Sequence, residues 1–121
     1  MYRTALFTFE QPIGNDTEQA LLQAAQVAER PETVRAVLTA SDSDIQSELD
    51  FIERSICGNA PAERAYAMFV EQLERPAGCE AVLAASGEKS ADDRALLLDH
   101  YLVVAHRIAQ GFHDRIHEEG S

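Results

Sequence analysis

The strongest constraint on this chain is that it repeats part of itself. Glu29-Arg30-Pro31 precedes Ala36-Val37-Leu38 and Ala40-Ser41, and Glu74-Arg75-Pro76 precedes Ala81-Val82-Leu83 and Ala85-Ser86 at a constant offset of 45 residues. Periods of about 40–47 residues are characteristic of stacked helical units. Two copies are fewer than the three or more that a free-standing solenoid needs, so the halves are expected to pack face to face. With 121 residues and 45% apolar content, the chain has material for one cored domain and too little for two.

Apolar spacing outlines six helices in two triplets, each long, short, long. The first triplet is expected over 15–58. Asn15 with Glu18 makes a capping box, and Leu21, Leu22, Ala25 and Ala28 mark the inner side of the first helix. Pro31 ends it and opens a second with Val34, Val37 and Leu38 inward, since proline suits the first helical position. Ser43 with Gln46 is a further capping box, followed by Ile45, Leu49, Ile52 and Ile56 at 4-3-4 spacing. Gly58 is a suitable left-handed terminator.

The second triplet, 59–117, repeats the plan. Asn59 caps a helix with Pro61 in its first turn and Ala65, Tyr66, Phe69 and Leu73 inward. Pro76 restarts the chain with Cys79, Val82 and Leu83 apolar, and Gly87 closes that helix. Ser90 and Asp93 open the last and longest one, whose inner face is Leu97, Tyr101, Val104, Ile108 and Phe112. Leu96, Leu98, Leu102 and Val103 make its early part apolar nearly all round, which places it at the centre of the bundle.

Residues 1–14 read differently. Ala5, Phe7 and Phe9 alternate with Thr4, Leu6 and Thr8, a β-period that stops at Pro12 and Gly14. No second strand follows, so the segment is expected to lie as an extended arm on the bundle or to pair with another chain, a possible homodimer contact. The other reading makes it the first turns of a helix. The expected class is therefore all-α: a compact bundle of six helices from two related three-helix segments, with an extended N-terminal arm.

The net charge is −11, from 21 acidic and 10 basic side chains; nine of the bases are arginine, and Lys89 is the tenth. Such a surface repels nucleic acid and anionic membrane, and it attracts a basic partner. Solubility alone also explains an acidic balance. Cys57 and Cys79 do not make a disulfide framework and fit reduced thiols in a cytoplasmic protein. No apolar run reaches membrane-spanning length, and Met1-Tyr2-Arg3-Thr4 lacks the features of a secretion leader.

Catalytic and metal signatures are missing. His113 and His117 are four apart, but a third ligand such as Asp99 lies too far along the axis to share one ion. Cations near a helix C-terminus complement its dipole instead. There is no Cys-x-x-Cys for a structural zinc site. In Asp99-His100-Tyr101 the acid and imidazole point about 100° apart and cannot act as a dyad. No Gly-x-Ser-x-Gly or phosphate-cradling loop accompanies them. No enzyme activity, metal or cofactor is expected.

The acidic residues are more suggestive. Asp42, Asp44, Glu48, Asp50 and Glu53 surround the apolar stripe of the third helix, and Glu88, Asp92, Asp93 and Asp99 belong to the last. If the halves pack with pseudo-symmetry, the two acidic helix starts form one negative face. Dipole placement of Asp at helix starts explains some of these without any partner. The run from Pro31 to Ser41, then Glu48-Leu49-Asp50-Phe51-Ile52, resembles small helical immunity proteins that neutralise NAD(P)-hydrolysing toxins of the type VI secretion system. The last helix, from Arg94-Ala95 through Tyr101 to Gly111-Phe112, is also similar. Glu48 stands where that pattern has Gln and Phe51 where it has Tyr; the arm and the Pro76 copy have no counterpart in it.

The resemblance implies an acidic inhibitor that fills a toxin's basic substrate cleft. The candidate contacts are Asp44, Glu48, Asp50, Phe51, Glu53, Asp92, Asp93 and Asp99, of which Glu48 and Phe51 match the family pattern by position. The alternatives are a nucleic-acid mimic or phage-type inhibitor of a defence complex, or a homodimeric scaffold subunit.

Overall fold

A computed structural model describes residues 2–9, 17–86 and 90–120. It shows an all-α fold: α1 (Thr17–Glu29), α2 (Pro31–Thr39), α3 (Asp42–Ser55), α4 (Ala60–Leu73), α5 (Ala77–Ser86) and α6 (Ala91–Gly120), preceded by β1 (Tyr2–Arg3) and β2 (Thr8–Phe9).

Residues 2–9, the described part of the expected arm, are not extended along the bundle. They fold into a small antiparallel hairpin, Tyr2 opposite Phe9 and Arg3 opposite Thr8. Thr4 closes the turn: its N–H donates to the Phe7 carbonyl at 2.9 Å, and its Oγ1 accepts from the Phe7 N–H at 2.9 Å. The ladder partner comes from the same segment, with Phe9 seven residues after Tyr2 and Thr8 five after Arg3. Phe7 and Phe9 both enter the core, as the alternation predicts, while Ala5 is exposed at the turn. There the rings pack edge-on to Phe69, with centroids 4.9 and 5.1 Å away. Tyr66 links the group to Phe112, 5.0 Å between centroids.

The helix boundaries have local causes. Pro31 is the first residue of α2, and Arg30 before it is extended (φ −69°, ψ 141°), as a residue preceding proline should be. α3 starts two residues earlier than the Ser43–Gln46 box implies. Ser41 is the cap: its Oγ accepts from the Asp44 N–H at 3.1 Å, and the Asp44 carboxylate accepts from the Ser41 N–H at 2.9 Å. An ionised carboxylate is the stronger acceptor, and it also favours the positive end of the helix dipole. Gly58 ends this stretch at φ +87°, where a side chain would be strained. Asn59 caps α4 through Oδ1 to the Ala62 N–H, and Ser90 caps α6 through Oγ to the Asp93 N–H. The expected Asn15 cap and Gly87 stop lie outside the described residues.

α1 packs mainly on α4, α3 on α6, and α2 on both α5 and α6. Each helix of the first half thus neighbours its sequence counterpart. The halves still differ: α6 has 30 residues against 14 in α3. In the shared Ala-Val-Leu, Val37 is the fully buried residue of α2 but Leu83 that of α5.

α1 turns Ala28 inward as expected, together with Ala24 and Val27, but leaves Leu22 exposed and Ala25 only half-buried. α6 touches four helices through Tyr101, Val104, Ile108 and Phe112, and Leu97 is only half-buried. Its Tyr101 hydroxyl donates to the Leu73 carbonyl at 2.6 Å, satisfying a carbonyl that the end of α4 leaves open. α6 is nevertheless not enclosed: Leu96 is 68% and Val103 59% exposed.

Candidate interaction surface

The expected contact residues do not come together. Glu48 is the clearest correction, being fully buried. Its Oε2 accepts from the Tyr66 hydroxyl at 2.5 Å and its Oε1 from the Leu6 N–H at 2.9 Å. The carboxylate therefore fastens the hairpin turn to α3 and α4 and cannot reach a partner's surface. Burial pushes its pKa above the ordinary 4.5, against the opposing effect of the hydrogen bonds from Tyr66, Leu6, Thr4 and Ala5. Burial, then the neighbouring Glu48, holds the Tyr66 phenol well above its ordinary value.

The other α3 candidates have partners within the fold. Asp44 is the capping carboxylate of α3. Asp50 accepts from Gln46 Nε2 at 3.0 Å, and its backbone carbonyl accepts from Arg54 Nε at 3.3 Å. Phe51 is half-buried against the core. Glu53 lies 3.6 Å from Arg115 Nε.

Two contacts set α3 against α6: Asp42 meets Arg107 Nη1 at 2.8 Å, and Glu53 meets Arg115. The helices run in the same direction, with the start of α3 beside Arg107. Asp92 is fifteen residues before Arg107, or about 22 Å at the helical rise. The two acidic helix starts do not merge into one face. The halves pack without the symmetry that merger required.

What the structure assembles instead lies on α6 alone. Asp92, Leu96, Asp99 and Val103 follow 4-3-4 spacing, so they line one side of the helix. That side is opposite the buried Tyr101 and Ile108, and all four residues are exposed. Asp93, a turn-mate, is exposed as well. The result is a strip of alternating carboxylate and aliphatic side chains facing solvent. Sequence reading found the carboxylates but enclosed the aliphatics. Their seven-residue separation does not single them out, since Leu97 and Val104 stand seven apart as well and pack toward the core.

The remaining candidates have plain roles. His100 Nε2 lies 3.1 Å from the Leu38 carbonyl and serves the C-terminal end of α2. Cys79 is buried in α5, its thiol pushed up to about 11 by burial and then by Glu80. Among the described residues no group of three or more His, Cys, Asp or Glu could hold a metal ion. Among them, too, no helix is long and apolar enough to cross a membrane. No family model, curated protein or solved structure matches this chain.

Proposed function

We propose that this protein is a non-enzymatic binding protein that neutralises a basic protein partner, in the manner of the immunity proteins its sequence resembles. The observation that carries the reading is the exposed strip on α6, in which Leu96 and Val103 stand between Asp92 and Asp99. Leu96 and Val103 form the apolar centre of the contact, with the carboxylates as its polar rim. Asp92 and Asp99 meet Lys or Arg around a toxin's substrate cleft. The net charge of −11 speeds the encounter and orients it. α3 contributes less than its acidity suggests, because its carboxylates are engaged within the fold.

The test is co-expression with the product of the neighbouring gene, which the proposal requires to be toxic when expressed without this chain. The wild-type chain restores growth, and a Leu96→Lys/Val103→Lys chain does not. Asp92→Asn/Asp99→Asn slows association at low salt and leaves dissociation nearly unchanged. Protection that survives the two lysines sinks the proposal. Charge reversal at Glu48 does not serve as a binding test, since it puts a lysine into the core.

A further inference from the structure

The α5–α6 end of the molecule carries a surface unlike the rest. α5 turns Ala77, Ala81, Ala84 and Ala85 outward, with Glu80 as the only charge among its described exposed residues. Ala91 and Ala95 of α6 face the same space. Between the helices runs a groove of about 310 Å³, floored by Leu83 and Leu98, with Glu80 from α5 and Arg94 from α6 on its walls. Neither Glu80 nor Arg94 has an ion-pair partner among the described residues, although both line the one groove.

We infer that this face binds a second copy of the chain about a two-fold axis through the groove. In an isologous contact one patch meets itself, so that residue i meets j and j meets i. Glu80 then meets the partner's Arg94, and Arg94 the partner's Glu80. The alanines let the two α5 helices approach closely, and the groove walls close over the leucines. A body this acidic self-associates where its charge is lowest, and among the residues lining the groove one carboxylate is balanced by one guanidinium. A basic partner gains little from such a balanced face, which is why the second copy is the occupant. The inference does not depend on the proposed function. Leu96 lies about 100° round the helix from Ala95, so the aliphatic part of the strip on α6 faces away from the contact, while Asp92 and Asp99 border it.

Sedimentation equilibrium of the full chain over a concentration series tests it. The wild-type chain dimerises. Ala84→Glu, Glu80→Arg and Arg94→Glu each raise the dimer dissociation constant by about tenfold or more, equivalent to about 1.4 kcal/mol. Glu80→Arg/Arg94→Glu together restore wild-type dimerisation, and this rescue separates a contact between copies from damage to folding. A chain that stays monomeric throughout overturns the inference, as does a dimer indifferent to these substitutions.

Discussion

Glu48 shows how one side chain can look like surface and behave as core. It lies between Ile45 and Ile52, three residues after one and four before the other, so the helix puts it on the buried side. Its two hydrogen-bond partners, Tyr66 and the Leu6 N–H, make that burial tolerable. Tyr66→Phe leaves the carboxylate short of a donor and is expected to cost about 1–3 kcal/mol by denaturant unfolding. The pH response follows from the raised pKa. The folded state holds the Glu48 proton more tightly than the unfolded state, so it binds more protons as pH rises through and above 4.5. Stability from this group is full below the unfolded value and falls as pH climbs through the folded one. Compared with Glu48→Gln, the wild-type protein should therefore be relatively more stable near pH 4 than near pH 7. Parallel melting curves for the two chains across that range would exclude this linkage.

At the level of elements, the meeting of α3 and α6 depends on a missing side chain. A methyl group at Gly111 would lie 2.5 Å from Leu49 Cδ2. Glycine permits the close approach rather than marking a weak helix end. Gly111→Ala gains about 1 kcal/mol of helix propensity but meets an overpacking cost of about 1–3 kcal/mol. A net loss is expected with Leu49 in place and a net gain in a Leu49→Ala background, which a double-mutant cycle reads directly. Ser41→Ala should cost about 1 kcal/mol by removing the α3 cap, whereas Ser43→Ala should cost little.

Much of this level was legible in sequence. The 4-3-4 stripe of α3, the Pro31 corner and the Gly58 stop follow from spacing and backbone rules. The hairpin was not legible, because Thr4-Ala5-Leu6-Phe7 contains no Gly, Asn or Pro. Its turn is closed by the Thr4 hydroxyl and needs no positive φ, since Gly58 is the only residue with positive φ among those described. The exposed pair on α6 was hidden for the opposite reason. Where a helix is apolar nearly all round, periodicity cannot choose the side that faces water.

For the whole molecule, an excess of eleven negative charges opposes compaction while solubilising the fold. Added salt screens this repulsion over a Debye length of about 10 Å at 0.1 M. The melting temperature at neutral pH should therefore rise between low salt and about 0.1–0.5 M NaCl, and a fall would show that the surface ion pairs outweigh the repulsion. The core draws on both ends of the described chain. Phe7→Ala should cost about 3–5 kcal/mol, as a buried aromatic does, although it changes a segment of eight residues that carries no helix.

That distance along the chain has a consequence for biosynthesis. Phe7 rests on Phe69, made 62 residues later, and Tyr66 rests on Phe112, later still. On the ribosome the leading hairpin must wait, its two rings uncovered, until the fourth helix has emerged, and the aromatic cluster closes only once the sixth is available. Such long-range closure slows folding and leaves a sticky intermediate in the meantime. Nascent chains stalled before α4 should bind holdase chaperones, and release should coincide with the appearance of the final helix.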